Sequence, residues 1–111
     1  MTTNTYKNAK LVDIGTTLTD LYTAPSDGTS TVIGLCIANT TSQNIFVDVV
    51  LYDDSGADTA YLVKEAPVPI GGGFVPIGGD QKIILESDDK IQVKSDTATS
   101  ADAILSVLEI T

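Results

Sequence analysis

Regular punctuation by turn residues constrains this chain more than any other feature. Clusters such as "APSDG", "NTTSQN" and "DDSGAD" recur roughly every 8 to 14 residues, the spacing of a sandwich or barrel of short strands. Between them the sequence is dense in Val, Ile and Thr, which suit a pleated, half-buried surface. No stretch carries a helical period. The runs predicted as strands are Thr16–Thr23, Ser30–Ala38, Ile45–Tyr52, Thr59–Glu65, Phe74–Ile77, Lys82–Glu86, Lys90–Lys94 and Asp102–Ile110, with weak pairing over Lys10–Ile14. This reading gives an all-β chain, a single β-sandwich (jelly-roll or Ig-like) of about eight short, mostly antiparallel strands. Residues 16–111 form the sandwich domain, and residues 1–15 are expected to be an N-terminal arm or a loosely ordered segment.

A chain of 111 residues with 42% apolar content suits one domain with one modest core. Six basic residues face fifteen acidic ones, a net charge of −9. Such a field repels phosphate backbones and anionic lipid heads, which argues against nucleic acid and membrane surfaces and favours basic protein partners or bound cations. No apolar run approaches the ~20 residues of a membrane span. "MTTNTYKNAK" lacks the apolar core of a signal peptide, so Asn39-Thr40-Thr41 reads as a polar turn and not as a glycosylation acceptor.

The stretch "KEAPVPIGGGFVPIGGDQ" raises the possibility of a phosphate cradle. A P-loop needs Lys and Ser or Thr after its glycines, but Phe74-Val75-Pro76 follows Gly71-Gly72-Gly73. Glycine accepts positive φ, so "IGGGF" and "IGGDQ" read as chain reversals. Pro67, Pro69 and Pro76 cannot donate to a ladder, so Ala66 to Asp80 is expected at a sandwich edge or corner.

Candidate chemistry is thin. The chain has no histidine and one cysteine, which removes histidine-based triads and dyads and an internal disulfide. Cys36, between Leu35 and Ile37, is expected to be buried and inert. Asp53, Asp54 and Asp58 around Gly56 lack the spacing of a calcium loop, and together with Asp88 and Asp89 they read as turn-forming carboxylates. No catalytic residue, metal ligand or cofactor is expected. Tyr52 and Tyr61 are the one candidate aromatic platform for a carbohydrate.

Alternation marks the central strands. Ile91 and Val93 are predicted to point inward from Lys90–Lys94. Leu35, Ile37, Val47, Val49, Ile83, Leu85, Leu105 and Val107 join them in the predicted core, together with Ile33. Three strands are apolar on both faces, more than one monomeric sandwich needs. The surplus side chains Val32, Phe46, Val50, Tyr52, Ile104, Leu108 and Ile110 are therefore candidates for a subunit or partner interface.

Four segments, "LYTAPSDGTSTVIGLCIANT", "YLVKEAPVPIGGG", "GGDQKIILESDDKIQV" and "ADAILSVLEIT", together resemble small virion proteins of tailed bacteriophages over Asp20 to Thr111. The resemblance implies a β-sandwich structural component with no catalytic residues to carry over. The likeness does not fix the station on the particle. A decoration or cement protein on the capsid surface, made in the host cytoplasm, is the first expectation, because the long hairpin and helix usual in a tail tube and the length and aromatic richness usual in an adhesin are absent. A neck, collar or tail accessory protein comes second, and a carbohydrate- or calcium-binding module is the remaining alternative. The implied partners are the major capsid protein or other virion proteins, and further copies of the chain, with a trimer favoured.

Overall fold

The computed structural model describes residues 2–78 and 82–111. The chain forms β1 (Asn4–Ile14), β2 (Thr19–Thr23), β3 (Thr29–Asn39), β4 (Ile45–Asp53), β5 (Asp58–Val68), β6 (Gly73–Ile77), β7 (Ile83–Leu85), β8 (Lys90–Ser95) and β9 (Ala101–Ile110). Five strands make one sheet in the order β1-β9-β3-β6, with β7 also on β3, and four make the other in the order β2-β8-β4-β5. Every pairing is antiparallel. This interleaving of strands from both ends of the chain is the double Greek key of a jelly roll, which decides between the two sandwich types that the sequence left open.

The core lies between the sheets. Leu35, Ile37, Val47, Val49, Leu85, Ile91, Val93, Leu105 and Val107 are buried there as expected, with Ile83 packed against them. The prolines sit where their missing N–H costs least: Pro67 in β5 and Pro76 in β6, both edge strands. Gly71 has φ +69° and Gly72 N–H donates to the Pro69 carbonyl at 3.0 Å, so "IGGGF" turns the chain into β6. The turn expected over "IGGDQ" falls on residues 79–81, outside the described residues. Gly28 meets a different demand: a Cβ there would lie 2.2 Å from the Ile110 carbonyl oxygen.

The N-terminal arm needs correction. Residues 4–14 are not loose but form an eleven-residue strand paired with β9 from Asn4↔Ile110 to Leu11↔Ala103. Its sequence is too polar to announce a strand. What holds it is a backbone ladder, the inward contacts of Ala9, Leu11 and Ile14, and an ion pair from Lys7 Nζ to Glu109 Oε1 at 3.0 Å.

Polar side chains fasten the sheets to each other near both ends. At one end Asn39 is 8% exposed and fully bonded: its Nδ2 donates to the Gln43 and Val68 carbonyls, and its Oδ1 accepts from Thr41 N and Oγ1. The sequon is thus a polar turn, as read from the sequence. At the same end the Ser95 and Ser100 hydroxyls meet at 2.6 Å. At the other end Tyr22 Oη donates to Glu109 and shares a 2.8 Å hydrogen bond with Ser30.

This second cluster gives the fold a pH signature. Burial first, then the Glu109 hydrogen bond, pushes the Tyr22 phenol up to about 12. A raised folded-state pKa contributes stability that is complete below the unfolded value of 10 and is lost as pH rises through about 12. The Tyr22 hydrogen bond, with Lys7 adding to it, holds Glu109 below its ordinary 4.5. Its contribution is present above 4.5 and is lost as pH falls through the depressed value. Urea midpoints measured against pH should therefore fall at both extremes. Tyr22→Phe should flatten the alkaline limb; an unchanged limb would contradict the assignment.

Candidate interaction surface

Alternation along each strand sets what the two outer faces show. On the four-stranded sheet the outward residues are largely charged and mutually paired. Asp20 accepts from Gln92 at 2.7 Å and from Lys90 at 3.3 Å. Asp48 accepts the Glu65 N–H at 2.7 Å and lies 3.6 Å from Lys94 Nζ. Glu65 is an extra residue of the edge strand, held at φ 54°, and the Asp48 carboxylate satisfies the amide that this bulge turns outward. A hollow of about 230 Å³ nearby is lined by Phe46, Asp48, Glu65, Lys94 and Asp96.

The five-stranded sheet presents the opposite character. From β9 it projects Asp102, Ile104, Ser106, Leu108 and Ile110, from β3 Cys36 and Ala38, from β7 Ile84, and from β6 Val75. From β1 it projects Tyr6, Asn8 and Lys10. Tyr6, Val75, Ile84 and Ile104 are 54–77% exposed. Gly34, Cys36 and Ser106 are small, so the middle of the face sinks into two shallow depressions of about 310 and 260 Å³. Of these side chains only Lys10 and Asp102 are charged, although the chain carries fifteen acidic residues.

The interface candidates divide between three places. Ile104, Leu108 and Ile110 lie on the apolar face. Phe46, Val50 and Tyr52 lie on the charged face of the other sheet, with Val50 only 1% exposed. Val32 lies on neither and is fully buried in the core. Strict alternation places it outward, but β3 carries a bulge against β9 between Val32 and Gly34. Ile33 is the extra residue, so Val32 and Leu35 both point inward and Ile33 is only half-buried. Cys36 is also corrected: it faces outward beside Ile104 and is exposed.

Sequence reasoning missed Tyr6, Val75 and Ile84. Ile84 had a local signal, because Ile83 and Leu85 on either side point inward. Lysines lie over both rings of the candidate aromatic platform: Lys64 Nζ sits 5.2 Å from the Tyr61 ring centre and Lys90 Nζ 5.9 Å from that of Tyr52. Asp53 accepts from Ser55 N and Oγ within its own turn. Asp89 is buried and accepts from Asp54 N and Glu86 N, tying two loops together.

No family model matches the sequence, and neither does any curated protein. Among solved structures the whole chain superposes on 94% of a chain in the acid-stable capsid structure of Helicobacter pylori bacteriophage KHP30, with TM-score 0.57 and 12% identity. It also superposes, over 99% of its length, on a chain in the structure of infectious bursal disease virus Gx strain, with TM-score 0.56 and 9% identity. This chain spans 31% of that second one. The likeness is one of fold: a jelly-roll β-sandwich also found in viral particles.

Proposed function

We propose that the chain is a non-enzymatic structural protein of a viral particle, in first place a capsid decoration or cement protein of a tailed phage. In this reading it binds the shell through the outer face of its five-stranded sheet. The observation that carries the reading is that face: exposed Tyr6, Val75, Ile84 and Ile104 surround small residues and form a wide, sparsely charged surface on a strongly acidic protein. Contiguous apolar surface of this kind marks an interaction site. The fold neighbour of matching length, drawn from a phage capsid structure, and the resemblance of the sequence to small phage virion proteins support the same reading. A neck, collar or tail accessory role uses the same surface and differs only in station. A carbohydrate-binding role is less favoured, since lysines occupy the faces of Tyr52 and Tyr61.

Quantitative mass spectrometry of purified particles of the encoding virus tests this. Decoration predicts a copy number that scales with the shell, and an accessory role predicts a few copies. Absence from the particle would overturn both.

A further inference from the structure

We infer that the outer edge of β1 pairs with β1 of a second copy of this chain, making one continuous sheet across a two-fold axis. The inference deepens the structural reading above, since it names the contact through which copies of the protein join.

A sandwich has exposed sheet edges, and each is a template for another strand unless it is blunted. Three edges here are blunted. β5 carries Pro67 and two register shifts against β4. β2 is five residues long with a shift between Asp20 and Tyr22. The β6 and β7 edge is split into pieces of five and three residues, and β6 contains Pro76. β1 differs: it runs from Asn4 to Leu11 without proline or register shift, and among the described residues its ladder is to β9 alone.

The ladder fixes which amides are free. Thr111 N–H donates to the Thr3 carbonyl, so Thr3 and Thr111 form a hydrogen-bonded pair. In an antiparallel ladder such pairs alternate with non-bonded ones. Thr5, Lys7 and Ala9 therefore turn their backbone groups toward β9, while Tyr6, Asn8 and Lys10 turn theirs to the open side.

The side chains choose the register. A two-fold axis at Lys7 would set Lys7 against Lys7, a destabilising like-charge pair. An axis at Asn8 sets Asn8 against Asn8, Tyr6 against Lys10 and Lys7 against Ala9. Every open amide then finds a carbonyl, and each Lys10 ammonium lies beside a Tyr6 ring, a favourable cation–aromatic pairing. No carboxylate lies between Asn4 and Val12, so the edge is free of the acidic repulsion that the rest of the chain would impose. The axis stands perpendicular to the sheet, so the two apolar outer faces become coplanar. An edge pairing of this kind is two-fold, in place of the trimer favoured from the sequence.

Sedimentation velocity across concentration, paired with amide hydrogen exchange, tests the contact. A two-chain species is expected, with the Tyr6, Asn8 and Lys10 amides becoming protected as it forms. Asn8→Pro removes only an outward amide, which an edge strand tolerates, and should abolish the dimer while leaving the circular dichroism unchanged. Tyr6→Lys, at an exposed position, opposes two lysine pairs and should weaken association by about tenfold or more. It decides the matter if the proline variant fails to fold. A strict monomer would overturn the inference and assign Lys7 and Lys10 the role of edge guards. So would an oligomer that Tyr6→Lys leaves intact. A monomer that still binds shells defeats this inference alone; a dimer absent from particles defeats the virion reading alone.

Discussion

Val32→Asp should leave the chain unfolded, whereas Ile104→Asp should leave the fold intact and remove binding to the shell. The two positions carry the same kind of side chain on neighbouring strands, and both were interface candidates from the sequence. The bulge at Ile33 separates them. Val32 is 0% exposed and Ile104 is 54% exposed. A carboxylate at position 32 would be buried among Leu35, Leu105 and Val107 with no cation to pair it, at an effective cost of several kcal/mol. Domains of this kind hold only about 5–15 kcal/mol in total. A carboxylate at position 104 stays in water and costs little until the face is covered. Circular dichroism and urea titration of both variants provide the check. A folded, cooperative Val32→Asp protein would refute the placement of the bulge.

Leu105→Ala is expected to cost about 2–5 kcal/mol, the sum of lost apolar transfer and an unfilled cavity. Leu105 is fully buried on β9, opposite Leu35 on one side and Ala9 on the other. Its own strand and that of Leu35 are each paired on both flanks, so the sheet has little room to collapse into the space. For a domain of this size each kcal/mol lowers the melting temperature by roughly 4–8 °C. The decrease should therefore be read easily by calorimetry. A loss below about 1 kcal/mol would mean that the centre of the sandwich repacks freely, contrary to the usual density of protein interiors.

The strands were legible because their periodicity is local. Lys90–Lys94 alternates cleanly, and the structure buries Ile91 and Val93 as that pattern requires. Turn glycines and edge prolines were legible for the same reason: each acts through its own backbone. What escaped depends on partners far along the chain. β1 is held by β9, about a hundred residues away, and nothing in "TYKNAK" encodes that ladder. Glu109 reads as an interruption in a strand until Tyr22 and Lys7 are brought to it by the fold. The bulge in β3 shifts the alternation by one residue, so it moved Val32 into the core without changing any local pattern. Cys36 was misplaced because an apolar run between turns gives no sign of which of its two faces is covered. The surplus of apolar faces was legible, but its division between a charged sheet and a sparsely charged one was not, because that contrast comes from strand order.

Cys36 supplies the most direct measurement of the central claim, because it lies in the middle of the proposed shell-binding face and is the only thiol in the chain. Modification by a small thiol reagent should be fast in the free folded protein, close to the rate of the unfolded chain. Edge pairing through β1 leaves the face open and should not slow it. On assembled particles the same thiol should be protected, and release of the protein from the shell should restore the fast rate. Equal rates free and on the particle would show that the apolar face does not meet the shell and would contradict the account.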